Sequence, residues 1–376
     1  MIQTLLRACA RAIRPLPLLA GAALIAAACD SSSAPVVIGV AGPFGSTNGA
    51  SMRQGAELAA REVNANGGIQ SRPLELRFYD DAGNPDSALR VAQAFTANPE
   101  VVAVVGHVSS GTTISAASAY QQGLPAVATS ATSVLVTRLG DWIFRVASSD
   151  SANSVALASV ARSIAVPTAV LYENNDYGRG QADAFRLALA GAGGQVVSVD
   201  PYLPRTADLR PYLERMRERG VGLVFLAGLE VDAARIIEQA HAVGLEARFL
   251  GGDGIEGLIA MGSEFDGTLV GVLFHSDASP RAGAFAAQFR SATGREADSF
   301  AALGYDATLL LAQAAREAGP DRESIRDYLA LVGREDRPAY EGVTGTIRFD
   351  GNGDPVDKEF AIGMIRDGQI HLAGGN

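Results

Sequence analysis

Short apolar runs alternate with amphipathic segments along almost the whole chain. Residues 36–41 form a β-branched run that stops at Gly42-Pro43, which reads as a strand broken into a loop. Met52, Ala56, Ala59, Ala60 and Val63 then recur at helical spacing, predicting a helix over 52–64 that ends at Gly67-Gly68. Residues 74–79 alternate apolar and polar, as a half-buried strand does. Helices are predicted over 86–97 and 112–123, with strands at 101–105 and 126–128. Beyond Asp150 the rhythm restarts. Helices over 154–164, 180–190, 209–219 and 232–242 interleave with strands at 168–172, 196–199, 223–227 and 248–251. Helices follow over 282–293 and 300–318. The tail reads as antiparallel, with strands at 345–349, 360–365 and 369–372 and an Asp367-Gly368 hairpin turn before the last.

Such alternation is the signature of an α/β protein whose mostly parallel sheets carry helices on both faces. It comes in two successive sets, which predicts two similar, doubly wound lobes, although no sequence repeat links them. A chain of 376 residues is also long for a single core. In open sheets of this kind ligands bind beyond the carboxyl ends of the strands. The loops at 42–49, 106–113, 129–133, 173–178, 228–230 and 252–257 are therefore the places to look, and they hold most of the short polar and Gly-rich runs.

The first residues follow a different pattern. Arg7, Arg11 and Arg14 precede an apolar run over 16–28, shorter than the roughly 20 residues a membrane span needs. With the small residues Ala26-Ala27-Ala28 at its end, residues 1–28 read as a secretory signal peptide. The segment Leu24-Ile25-Ala26-Ala27-Ala28-Cys29 resembles a bacterial lipobox, with Ala26 where a large aliphatic is usual. Cys29 is thus the expected lipidation site, and residues 29–35 a short tether. Cys9, the other cysteine, leaves with the signal, so no intramolecular disulfide forms. Removing three arginines and no acid takes the net charge from −10 to −13, which argues against nucleic acid or an anionic membrane surface as partner. The only lysine, Lys358, reads as compositional bias.

Catalytic signatures are missing. The chain has no phosphate-binding loop, no G-x-G-x-x-G after the first strand, no G-x-S-x-G elbow and no S-x-x-K. Its four histidines stand singly, and His107 beside Ser109 and Ser110 is the one hint of a nucleophile with a base. Asp350-Gly351-Asn352-Gly353-Asp354 starts like a calcium loop but has Pro355 at the glycine position and Ala361 at the twelfth. No enzyme, metal or cofactor is implied. Recognition fits better. A zwitterionic amino acid needs hydroxyls and backbone N–H groups for its carboxylate and an acid for its ammonium. Ser109, Ser110 and Thr132 suit the first need, Asp253 in Gly252-Asp253-Gly254 the second, and Tyr177 offers an aromatic face.

From about Val37 to Gly368 the chain resembles the leucine/isoleucine/valine-binding proteins of branched-chain amino-acid ABC transporters. The resemblance rests on 38-IGVAGP-43, 55-GAELA-59, 63-VNANGGI-69, 79-YDDAGNP-85, 105-VGH-107, 110-SGTT-113, 130-SAT-132, 144-FRV-146, 176-DYGRG-180, 251-GGDG-254 and 345-GTIRFD-350. It implies a type I periplasmic binding protein-like fold with lobe 1 at 36–149 and 276–355 and lobe 2 at 150–275 and 356–376. Crossovers near Ser149, Ser276 and Pro355 would then form a three-strand hinge. It implies that lobe 1 binds ligand through Ser110, Ser130 and Thr132, with Ser109 adjoining, and lobe 2 through Tyr177, Asp253 and Gly254. Asp253 stands where relatives often carry Glu. Asn48 and Leu229 replace aromatics of the side-chain pocket, and Glu230 follows, so the pocket is expected to be more polar than in leucine binders. A cysteine pair of some members is absent at Gly83 and Ser109.

The implied function is a lipid-anchored, monomeric periplasmic solute-binding protein that captures a branched-chain or other small amino acid by lobe closure and docks on an inner-membrane ABC permease. The alternatives are a binder of an amide, urea or aromatic acid, or a sensory receptor subunit.

Overall fold

Successive residues of β1 (Val36–Gly42) enter different cores: Ile38 and Val40 pack on one face of their sheet, Val37 and Ala41 on the other. A strand points alternate side chains to opposite faces. A strand covered on both sides must therefore be apolar throughout, which is why the run over 36–41 shows no alternation. The computed structural model of the protein describes residues 34–335 and 337–372. The expected signal peptide and Cys29 lie outside the described residues.

The first sheet takes β1, β2 (Leu74–Asp80), β3 (Val101–Val105), β4 (Ala126–Ala128) and β5 (Ile143–Arg145), all parallel, in the order β2-β1-β3-β4-β5. Its connections run through α1 (Thr47–Ala65), α2 (Pro85–Ala97) and α3 (Ser110–Tyr120). After α4 (Asp150–Ile164), the second sheet gathers β6 (Thr168–Glu173), β7 (Val196–Tyr202), β8 (Leu223–Ala227), β9 (Arg248–Gly251) and β10 (Leu269–Val272). Here α5 (Asp176–Gly191), α6 (Arg210–Glu218), α7 (Glu230–Ala242) and a 3-10 turn at Asp253–Ala260 make the crossings. The parallel part has the order β7-β6-β8-β9-β10, the same winding as the first sheet. The repetition expected from the rhythm of the chain is thus a repetition of topology.

The chain then contributes α8 (Pro280–Thr293), α9 (Ser299–Ala318) and α10 (Arg322–Ala330), and a small hairpin of β11 (Tyr340–Gly342) and β12 (Gly345–Ile347). Leu303, Ala307, Leu310 and Leu311 of α9 share the core of Ile38, Val40, Met52 and Val105, so this late helix belongs to the first sheet. Each leucine, isoleucine, valine or methionine among them, fully removed from water, is worth roughly 1.5–3 kcal/mol. Finally β13 (Ala361–Arg366) and β14 (Gln369–Leu372) extend the second sheet antiparallel beside β10. Asp367 and Gly368 both have positive φ in the turn between them, as the Asp-Gly pair predicts.

Most helices begin earlier than hydrophobic spacing indicates, α6 being the exception. Ser46, Asn84, Ser149, Asn175, Ser279, Asp298 and Asp321 cap amino-termini by accepting a first-turn N–H. Most of those first turns are polar and carry no apolar stripe; α9, which opens Ser299-Phe300-Ala301, is an exception. The hydrophobic pattern gives no signal for strand β10, four residues long with a glycine inside, or for helix α10, where four of nine residues are charged. Lys358 is not a surface residue. Its Nζ donates to Thr344 Oγ1 at 2.7 Å beside the buried Asp306, which accepts the Val343 and Thr344 N–H groups.

Candidate ligand-binding site

In both sheets the winding reverses beside the first strand, between β1 and β3 and between β6 and β8, where a doubly wound sheet forms its crevice. The amino-termini of α1, α3, α5 and α7 follow those strands. Contacts cross between the lobes at several of these ends. Asn48 Nδ2 donates to Glu230 Oε2 at 3.4 Å, and the Ser299 N–H donates to Glu256 Oε1 at 3.1 Å. On the other flank, Asp176 Oδ2 lies 3.6 Å from where a Cβ on Gly111 would stand.

The first lobe's half of the cleft is built from hydroxyls held by their own loops. Ser109 is the N-cap of α3, and its Oγ pairs with Thr112 Oγ1 at 2.8 Å. Ser110 Oγ accepts the Ser133 N–H at 3.1 Å, leaving its own proton to donate. Ser130 Oγ donates to the Val108 carbonyl at 3.0 Å. Arg145 is fully buried; its Nη1 donates to the Ala131 and Ser133 carbonyls at 3.1 and 2.7 Å, and its Nε lies 2.6 Å from Asp354 Oδ1. The guanidinium therefore grips the backbone on both sides of Thr132. The Thr132 hydroxyl is inaccessible and has no hydrogen-bond partner among the described residues. Beside it, the open first turn of α3 points free N–H groups outward, an arrangement that suits a carboxylate.

The second lobe's half is acidic. Tyr177 lies in the first turn of α5, and its hydroxyl accepts the Gln181 Nε2 and Gly254 N–H groups at 2.9 and 3.0 Å. It faces Asp253 Oδ1 at 3.4 Å. A Cβ on Gly254 would stand 2.6 Å from that hydroxyl and 2.5 Å from the Gly228 carbonyl, so this approach requires glycine. Burial, then the charge of Asp150, push the Asp253 carboxyl up to about 7.

Asp150, which sequence reasoning missed, opens α4. Its N–H donates to the Thr132 carbonyl at 2.8 Å, yet both its carboxyl oxygens are buried with no hydrogen-bond partner among the described residues. Burial raises its pKa to about 7, against the opposing pull of Thr132 and Arg145. A Cβ on Gly180 would stand 3.3 Å from its Oδ2, so α5 packs directly over it. A buried acid beside a turn would have been a signal, but Ser149-Asp150 reads in sequence as an ordinary helix cap.

Of the remaining candidates, Asn48 is buried and Glu230 partly so, and burial raises the Glu230 pKa. Leu229 is 41% exposed and serves as N-cap of α7. The structure thus brings Ser110, Thr132, Tyr177, Asp253 and Asp150 together and leaves Leu229 at the rim. His107 is no catalytic base: its ring nitrogens bond Asp81 Oδ2 at 2.5 Å and Tyr120 Oη at 2.9 Å inside the first lobe, away from Ser109 and Ser110. Asp350 closes a turn by accepting the Asn352 and Asp354 N–H groups.

Two similarly wound α/β lobes whose polar strand ends meet define a two-lobe solute-binding protein of the type I periplasmic kind. Residues 33–369 match the family described as periplasmic binding protein, and the chain belongs to that family. It is 30% identical over 335 residues to a Leu/Ile/Val-binding protein homolog of Brucella suis, covering 86% of this chain and 89% of the relative. A leucine-, isoleucine-, valine-, threonine- and alanine-binding protein of Pseudomonas aeruginosa is 28% identical, with 92% of each chain covered. Among solved structures, an ABC transporter substrate-binding protein of Desulfitobacterium hafniense in complex with Leu superposes with TM-score 0.78 and 31% identity, over 90% of this chain and all of the other. A benzoate complex from R. palustris, at TM-score 0.81 and 19% identity, shares the fold. These relatives are solute-binding proteins rather than enzymes. No described helix is long and apolar enough to cross a membrane.

Proposed function

We propose that this chain is the extracytoplasmic, lipid-anchored solute-binding component of an ABC importer and that it captures an α-amino acid between its lobes. The observation that carries the reading is the pairing of chemistries across the cleft. Asp150 and Asp253 are buried acids that form no salt bridge among the described residues, although Arg145 acts on Asp150 from a distance, and beside them stand the Thr132 hydroxyl and the open amino-terminus of α3. The ammonium of an α-amino acid meets Asp150, Asp253 and Thr132, while its carboxylate meets Ser110 and the first-turn N–H groups of α3. Hydrogen bonds involving a charged partner contribute about 1.5–3 kcal/mol each. Tyr177 closes over the ligand from the second lobe.

Because the ligand touches both halves, it favours the closed arrangement over the open one. The crossovers near Ser149, Ser276 and Pro355 are proposed as the hinge, dividing the chain into 36–149 with 276–355 and 150–275 with 356–376. In support, α4 packs on the second sheet's core while α8 and α9 pack on the first lobe. The lipobox-like segment before Cys29 supports the anchor, and an anchored binder implies a permease as partner. A thermal-shift screen of the common amino acids on the purified protein tests the ligand class. Stabilisation by at least one of them is expected. Stabilisation by benzoate-type acids or amides, with none by amino acids, would overturn it.

A further inference from the structure

One flank of the cleft carries more negative charge than an α-ammonium accounts for. Here the first turns of α1 and α9 meet α7 and the 3-10 turn at Asp253–Ala260. Glu230 packs over Gly257, with its Cγ 2.8 Å from where a Cβ on that glycine would stand, so it lies against the neighbour of Glu256. Asp298, which accepts the Ser51 hydroxyl at 2.6 Å, borders Glu256 from the first lobe. Among the described residues the one cation that registers on this group is Arg295, which is exposed and acts on Asp298. Glu256 accepts the Ser299 N–H through Oε1, but its Oε2 is buried with no hydrogen-bond partner among the described residues. Burial, then Asp298 and Asp253, push its pKa up to about 8.

Geometry connects this flank to the ammonium contacts. Side chains three apart on a 3-10 turn eclipse one another, and the rise of about 2 Å per residue separates them by about 6 Å. Asp253 and Glu256 have this spacing and share one face of the turn. That is the separation between the two nitrogens of a short diamino acid lying extended.

We propose that Glu230 and Glu256, together with Asn48, form a subsite for a cationic group at the far end of the ligand, so that the protein selects a basic amino acid. This rests on the amino-acid reading above and deepens it. A neutral aliphatic tail in the same place leaves Glu256 Oε2 without a partner and strips water from Glu230, and a site that buries unpaired polar groups rejects such a ligand. A side-chain ammonium or guanidinium satisfies both acids and donates to the Asn48 side-chain carbonyl as a third partner.

The test is calorimetry at pH 7.5 on the purified protein with matched pairs, lysine against norleucine and ornithine against norvaline. The cationic member of at least one pair is expected to bind ten times or more tighter than its neutral counterpart. Glu256→Gln and Glu230→Gln are each expected to shrink that preference at least fivefold. Equal binding within the pairs, or a preference unmoved in both variants, overturns the subsite. Equal binding while leucine, threonine or norleucine still binds leaves the amino-acid reading standing. No binding by any α-amino acid removes both. The pair comparison on the unaltered protein decides the question even where a variant fails to fold.

Discussion

The two halves of the cleft solve opposite electrostatic problems. On the first lobe several polar side chains are tied to the backbone around the cleft: Ser130 to Val108, Ser110 to Ser133, and Arg145 to the carbonyls flanking Thr132. The result is a rigid rim of hydroxyls and helix ends, shaped before any ligand arrives. At the second lobe's entrance Asp150 and Glu256 keep buried oxygens without a hydrogen-bond partner among the described residues, and burial raises the pKa values of Asp150, Asp253 and Glu256 to about 7 or 8. One face is preorganised and the other is left in need of charge. The comparison suggests that affinity comes mainly from relieving the acidic face, while orientation comes from the hydroxyl face.

The largest effect is expected from the acidic side. Asp253→Ala and Asp150→Asn should each weaken amino-acid binding by about 100-fold, since each removes a charge-assisted contact of roughly 1.5–3 kcal/mol. Calorimetry checks this, and a change under threefold for both would show that the acids do not hold the ammonium. Arg145→Met strikes the other face through its scaffold. It leaves two buried carbonyls unpaired, at about 1–3 kcal/mol each, so chemical denaturation should show a clear loss of stability. Binding should fall as well, because the Thr132 loop is no longer held. Tyr177→Phe removes a hydroxyl that joins Gln181, Gly254 and Asp253, and should cost about tenfold in affinity together with a measurable loss of stability, because the Gln181 amide and the Gly254 N–H are left unpaired.

The smallest effect is a gradual one with pH. The carboxyl pKa values of Asp150 and Asp253 are raised in the folded protein, so these groups favour folding below the ordinary carboxylate range, and that contribution is lost as pH rises through about 7. An ammonium ligand needs the charged carboxylates. Hence the thermal shift it produces should grow between pH 5 and 8, while the melting temperature measured without it should drift down. A ligand-induced shift that shrinks with rising pH would contradict the assignment of the two acids.

Much of the fold was legible because both sheets are covered on both faces, which turns each central strand into an unbroken apolar run such as Leu223–Ala227. Segments held by something other than burial were not. Helix α10 depends on the Asp321 cap and three buried residues, and β10 on its neighbours. In the site, Ser110, Thr132, Tyr177 and Asp253 were legible because they follow strands and sit in segments that resemble a family. Asp150 and Glu256 were not. An acid at a helix start or in a Gly-rich turn is usually solvated, whereas here α5 packs over Asp150 and the first turn of α9 meets Glu256. Arg145 lies in a strand, and its grip on Ala131 and Ser133 depends on a fold-back that no local pattern records.

The burial of Lys358 against Thr344 and Asp306 has a practical side. As the chain's only lysine, it is the one side chain to which amine-directed reagents are addressed, and it is 9% exposed. Dyes and cross-linkers of that chemistry should leave the folded protein almost unmarked, then react on unfolding. Lys358 thereby becomes a built-in reporter of global unfolding, readable by mass spectrometry.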